Sequence, residues 1–226
     1  MKGRIRVLVA DDHTIVRQGL VGLLRASDDI DVVGEAATGV EAVDRAAALL
    51  PDVIVLDISM PHLNGLEAAR RLRKATPRAR VLVLTMHGDD EYVLRMVRAG
   101  VSGYIVKDGA ATDLVAAIRA LSAGETYFGP HASRALAEAY RAGRGVPADP
   151  IDRLTERERE VFTLVVEGHT NAEIANLLCV SPKTVDNHRT RLMDKLGVHS
   201  ATELVRFAAR HGMISALQLV AWVLGV

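Results

Sequence analysis

The feature that most constrains this chain is a short apolar run ending in an acid, Val53-Ile54-Val55-Leu56-Asp57, followed by Ile58-Ser59-Met60-Pro61. Four apolar residues, three of them β-branched, read as a strand buried on both faces. A carboxylate directly after such a strand sits at its carboxyl end, where open α/β sheets place their chemistry. Pro61 breaks the ladder, and Gly65 offers a turn before the next helical period. A lone Asp in this place is most simply a solvated helix cap. The company it keeps along the chain overturns that reading.

Residues 1–124 alternate strand-like and helix-like patterns. Strands are expected over 5–10, 32–36, 53–57, 81–85 and 102–106. Helical periods lie near 13–26, 39–49, 64–75, 90–99 and 110–122, with Thr38, Asp89 and Thr112 close to helix starts. Five strands alternating with five helices predict an α/β flavodoxin-like domain, a five-stranded parallel sheet in the order 2-1-3-4-5. Asp11 and Asp12 follow the first strand, Asp57 ends the third, Thr85 ends the fourth and Lys107 follows the fifth. All should converge on one edge of the sheet.

Three carboxylates together repel unless a cation sits among them, and an all-oxygen ligand set suits Mg²⁺. Lys107 and the Thr85 hydroxyl add a charge and a donor suited to a phosphoryl group. A carboxylate can itself accept that group as an acyl phosphate. Residues 5–122 resemble the receiver domain of two-component response regulators, through the acidic pair, VLDISMP, LTM and YIVK. The resemblance implies Asp57 as phosphoacceptor and Asp11 and Asp12 as Mg²⁺ ligands together with Asp57. It adds the backbone carbonyl of Ser59 as a further ligand, and Thr85 and Lys107 as contacts to the phosphoryl oxygens. Tyr104 falls where the family has its switch aromatic; half-buried strand packing accounts for it equally well. His87 reads as a loop polar residue.

Residues 125–151 change character. SRALAEAYR has a short helical period, and the Gly- and Pro-rich stretch 143–150 cannot hold regular structure. A helix attached to the first domain and then a tether are expected.

The second domain is expected over 152–211 as four helices. Thr155 with Glu158 and Thr170 with Glu173 form capping boxes, opening helices that bury Val161, Leu164 and Val165, and Ile174, Leu177 and Leu178. Ser181 caps a helix over 183–196 with Pro182 at its start, and Gly197 stops it. Two short helices joined by a tight turn form a helix-turn-helix. Val185, Leu192 and Leu196 share one stripe, so Lys183, Asn187, Thr190 and Asp194 face outward, flanked by Asp186 and Arg191.

The run from LTEREREV through VEGHTNAEIANLLCVSPKTVDNHRTRLMDKLGV to TELV resembles the LuxR/NarL-type DNA-binding domain. The chain as a whole is therefore identified as a member of the NarL/FixJ response regulators. That implies base contacts from Asp186, Asn187 and Thr190, although Asp186 departs from the Lys often found there. Phosphate contacts would come from Lys183, Arg189 and Arg191, with Asn171 and Thr184 assisting. Arg189 lies near the buried stripe and would have to snorkel outward. His188 is read as structural, and helix 200–211 as the dimer contact on DNA.

Composition neither adds to nor opposes this. Basic and acidic residues number 28 each, divided as 19 and 19 over residues 1–150 and 9 and 9 over 151–226. A DNA partner therefore rests on local pattern, not on bulk charge. Cys179 is the single cysteine and, flanked by Leu177, Leu178 and Val180, is expected to be a buried, inert thiol. The N-terminus enters a strand without a signal-type apolar region. The apolar extension 212–226, broken by Ser215 and Gln218, is too short to span a bilayer and is expected to pack within the chain or in a dimer. A cytoplasmic location without membrane contact follows as the expectation.

The expected function is a phosphorylation-controlled transcriptional regulator rather than a dedicated enzyme. Its expected partners are a sensor histidine kinase, double-stranded DNA, RNA polymerase and a second copy of the chain. A haloacid-dehalogenase-type phosphatase would need a second Asp where Ser59 stands. A receiver that works without phosphate is opposed by the intact acceptor set, and an autoinducer-binding LuxR protein by the N-terminal half.

Overall fold

A computed structural model describes residues 3–60, 63, 65–86, 90–107, 110–142 and 150–210. The chain divides into two compact units, Met1–Pro147 and Ala148–Val226. The first contains strands β1 (Ile5–Ala10), β2 (Ile30–Ala36), β3 (Val53–Leu56), β4 (Arg80–Thr85), β5 (Gly103–Val106) and β6 (Tyr127–Phe128). Between them run α1 (Thr14–Arg25), α2 (Gly39–Leu49), α3 (Gly65–Ala75), α4 (Asp90–Ala99) and α5 (Ala110–Ser122), with α6 (Pro130–Arg141) last.

All pairings are parallel, in the order β2-β1-β3-β4-β5-β6. The expected order 2-1-3-4-5 is present and is extended by one short strand. Parallel strands need both faces covered, which explains runs such as Val53-Ile54-Val55-Leu56 that are apolar at every position. Val7, Val9, Val53, Val55, Leu82 and Leu84 form one core with Val21 and Leu24 of α1 and Leu114, Ile118 and Leu121 of α5. The alternate residues, among them Leu8, Ile54, Val83 and Tyr104, are equally buried and face the other helix layer, because side chains in a strand alternate. In that layer α2 packs on α3, α3 on α4 and α4 on α6.

Residues 125–142 therefore belong structurally to the first unit. β6 pairs with β5, Tyr127 beside Gly103 and Phe128 beside Tyr104. The Gly129 N–H donates to the Tyr104 carbonyl at 2.9 Å, and the helix read from SRALAEAYR follows at once. The tether 143–149 and the apolar extension 212–226 lie outside the described residues, as do His87 and Asp89.

The second unit opens with a short 3-10 helix, Pro150–Arg153, then α7 (Glu156–Val166), α8 (Asn171–Leu177), α9 (Pro182–Leu196) and α10 (Ala201–Arg210). Both capping boxes form, Thr155 with Glu158 and Thr170 with Glu173. Ser181 caps α9 through the Thr184 N–H, and Gly197 ends it in a left-handed conformation at φ 66°. Val161, Phe162, Val165, Ile174, Val185, Leu192, Leu204 and Phe207 make its core.

Two expectations fail at the turn after α8. Leu177 is 58% exposed rather than buried, and Cys179 is exposed rather than a buried thiol. Cys179 takes a left-handed φ of 53°, so the chain turns away from the core between α8 and α9, and Val180 returns to pack against it. Leu164 is half-buried, with Phe162 and Val166 filling the positions around it.

Candidate functional site

The ladder of the first unit continues one residue past three strands. The Asp11 N–H donates to the Ala36 carbonyl at 3.1 Å, Asp57 to Ala10 at 2.8 Å and Lys107 to Thr85 at 2.7 Å. These bonds fix the backbone of the functional residues in register with the sheet, and their side chains meet beyond its carboxyl edge. Lys107 Nζ lies 2.7 Å from Asp11 Oδ2 and 3.2 Å from Asp57 Oδ2. One acid oxygen each from Asp11, Asp12 and Asp57, with a nitrogen of His13, fall within 4.8 Å of one another. Thr85 is fully buried at the end of β4, and Tyr104 is fully buried in β5; half-buried packing for Tyr104 is thus exceeded. Ser59 is half-buried two residues beyond Asp57.

Asp57 is only 2% exposed. Its Oδ1 accepts the Ile58 N–H at 2.7 Å. Burial pushes the Asp57 carboxyl up, and the charge of Asp11 adds to this, while Lys107 and the Ile58 N–H offset only part of it. Burial pulls the Lys107 ammonium down, but Asp57 and Asp11 outweigh it and leave Lys107 raised. The site thus holds its cation firmly and has anionic character in excess. Gly65 closes the far side: a Cβ there would stand 2.5 Å from Ile58 Cα and 2.9 Å from the Asp57 carbonyl. Only glycine lets α3 start this close to the acceptor loop.

The donor set fits a hard divalent cation. Asp12 Oδ1 is buried with no hydrogen-bond partner. His13 Nδ1 stands 2.9 Å from it, within ion-pair range. The carboxylate oxygens of Asp11, Asp12 and Asp57 are compatible with Mg²⁺ binding.

Two residues of this site escaped the sequence reading. His13 sits against Asp12, and its only signal was adjacency to the acidic pair. Arg17 donates through Nη1 to the Asp11 carbonyl at 2.6 Å and through Nε to Glu35 at 3.3 Å, tying the acidic loop to α1 and β2.

In the second unit the outward face of α9 is as the helical spacing predicts. Lys183, Asp186, Asn187, Thr190, Arg191 and Asp194 are exposed, and Val185 and Leu192 are buried. Four of the expected DNA-contact side chains have partners within the unit. Arg189 is half-buried and donates to Asn171 Oδ1 of α8 at 2.6 Å. The Thr184 hydroxyl lies 2.8 Å from Ser181 Oγ. The Thr190 hydroxyl donates to the Asp186 carbonyl at 3.1 Å.

An acid-and-ammonium cluster at the carboxyl edge of a parallel sheet, followed in the same chain by a capped helix-turn-helix, defines a signal-receiving domain coupled to a DNA-binding one. Comparison with known families agrees. Residues 7–119 match the response regulator receiver domain, and residues 152–208 match the bacterial regulatory proteins of the luxR family. The chain is 38% identical over 213 residues to the response regulator GacA of Pseudomonas viridiflava, covering 94% of this chain and 99% of that one. It is 41% identical over 204 residues to the DNA-binding transcriptional activator DevR/DosR of Mycobacterium tuberculosis, covering 90% and 94%. Among solved structures, the Salmonella typhimurium RcsB response regulator is similar with a TM-score of 0.57 at 30% identity, covering 92% and 99%. A second structure, a complex of RcsB with DNA, gives 0.57 at 29% identity, covering 92% and 98%.

The chain belongs to the NarL/FixJ family of two-component response regulators. It is a phosphorylation-controlled, DNA-binding regulator of transcription. Among the described residues no helix is long and apolar enough to cross a membrane.

Proposed function

We propose that Asp57 is the phosphoacceptor of this regulator and that a sensor histidine kinase supplies the phosphoryl group. The observation that carries this is the convergence of Lys107 on Asp57 and Asp11, with Asp12 in the same cluster. In the transfer, an Asp57 carboxylate oxygen forms the new bond to phosphorus. The bond from phosphorus to the phosphohistidine nitrogen of the donor breaks, and the nitrogen keeps the electron pair. Lys107 and the Thr85 hydroxyl receive the oxygens of the transferred group. Asp11, Asp12, Asp57 and the Ser59 carbonyl would hold a Mg²⁺ ion, which would supply charge neutralisation for those oxygens. Burial of Asp57 strengthens each of these interactions by lowering the local dielectric.

The product is a signal rather than a turnover product, so the chain is not a dedicated enzyme. The added charge draws Thr85 and repacks Tyr104, altering the surface of α4, β5 and α5. On DNA, Asp186, Asn187 and Thr190 read base edges, while Lys183 and Arg191 hold phosphates. Asn171, Thr184 and Arg189 support the edge of that surface. The chain acts as a homodimer on DNA, as the solved RcsB dimers on DNA support, and addresses RNA polymerase from the cytoplasm. Incubation with a small-molecule phosphodonor and Mg²⁺ tests the acceptor: the wild type gains one phosphoryl mass and Asp57→Asn gains none. Undiminished labelling of Asp57→Asn contradicts the assignment.

A further inference from the structure

We propose that Glu158 and Lys195 are positioning residues for DNA reading: their ion pair sets the angle at which α9 presents its outward face. This rests on α9 being the recognition helix. The apolar seat of α9, chiefly Val185 and Leu192, holds it in the unit, but apolar contact is non-directional and leaves roll and slide weakly specified. A charge-assisted hydrogen bond is directional.

Glu158 offers a rigid post for that bond. Its side chain is only 4% exposed, and its Oε2 accepts the Thr155 N–H at 2.7 Å while its own N–H donates to Thr155 Oγ1 at 3.3 Å. The carboxylate is therefore locked to the first turn of α7 before it meets α9. Lys195, in the last turn of α9, places Nζ 2.6 Å from the same Oε2. Two more ties close the triangle of helices. Arg157 of α7 donates to the Leu178 carbonyl at the end of α8, and Arg189 of α9 donates to Asn171 of α8. Each pair among α7, α8 and α9 thus has at least one polar tie.

Lys195 stands eight residues beyond Asn187, about 12 Å along the helix axis. A helix moves as a rod, so release at its C-terminal turn displaces the base-reading turn. A pair that served only stability could be lost without changing sequence discrimination.

The test uses the full-length protein treated with phosphodonor and Mg²⁺. It is titrated against a duplex that the wild type has selected from a random pool and against an unrelated duplex of equal length, at several salt concentrations. Glu158→Gln and Lys195→Met should bind the selected duplex roughly tenfold more weakly, the scale of one mismatched base pair. The unrelated duplex and the salt dependence should be unchanged, and Lys195→Arg should restore discrimination. Equal loss on both duplexes with a shallower salt dependence would make Lys195 a phosphate contact and overturn the proposal. A lower melting temperature with discrimination intact would also overturn it. Should Glu158→Gln fail to fold, the Lys195 variants decide. Lys183→Ala and Asn187→Ala test the premise separately: if neither alters DNA binding, α9 is not the reading helix.

Discussion

Lys107 Nζ stands 3.2 Å from Asp57 Oδ2, the ammonium after one strand facing the carboxylate after another. Only the parallel order that puts β4 between β3 and β5 brings these two residues together. Lys107→Met removes the cation that, among the described residues, contacts both Asp57 and Asp11. Labelling of Asp57 by a small-molecule phosphodonor should slow by about 10²–10³-fold, the scale of one lost preorganised donor. A labelling time course on the intact protein by mass spectrometry checks it, and an unchanged rate would remove Lys107 from the mechanism.

The clustering of Asp11, Asp12 and Asp57 predicts a cation-dependent stability. Mg²⁺ at a hundredfold excess over its dissociation constant should stabilise the first unit by about 2.7 kcal/mol, because the ion binds the folded site alone. Asp12→Asn should lose most of that gain. Thermal melts with and without Mg²⁺ measure both, and an equal gain in Asp12→Asn would place the ion elsewhere.

Gly65 predicts a steric cost at the acceptor loop. Gly65→Ala puts a methyl where Ile58 Cα and the Asp57 carbonyl already stand, so the loop or α3 must shift. The cost should be about 1–3 kcal/mol, read as a lower urea midpoint, with slower phosphoryl uptake because Asp57 moves. A neutral effect on both would mean that the loop relaxes freely.

Glu158 predicts an acid-sensitive second unit. Burial pushes its carboxyl up, but Lys195 and the Thr155 N–H and hydroxyl outweigh this and hold it below the usual glutamate range. A lowered folded pKa contributes stability that is complete above the unfolded value, about 4.3. That stability is lost as pH falls through the folded one. Amide exchange of α7 and α9 should therefore accelerate below about pH 4.3 in the wild type and show a weaker pH dependence in Glu158→Gln. Identical profiles would contradict the linkage.

Most of the first unit was legible because buried parallel strands are apolar at every position and their helices keep a clean 3.6-residue period. β6 was not: two residues, Tyr127-Phe128, carry no period, and the strand exists because β5 would otherwise leave an unpaired edge. Cys179 and Leu177 misled for a related reason. Their apolar neighbours suggest a core, but Leu177 ends α8 on its exposed side and Cys179 takes a left-handed turn, and local composition encodes neither. The acid-and-ammonium cluster was legible because Asp11, Asp57 and Lys107 each directly follow a strand. Arg17 was not, since its grip on the Asp11 carbonyl is a through-space contact with no mark in the spacing. On α9 the exposed face followed from helical geometry. The engagement of Arg189 with Asn171 needed the packing of α8.

We expect the state of Asp57 to control DNA binding. Fluorescence anisotropy of a selected duplex, titrated with wild type and with Asp57→Asn before and after phosphodonor and Mg²⁺, tests it most directly. The wild type should bind at least about tenfold more tightly after treatment, a shift of about 1.4 kcal/mol, and Asp57→Asn should not respond. Binding by the wild type that is indifferent to treatment, or an equal response in Asp57→Asn, would contradict the account.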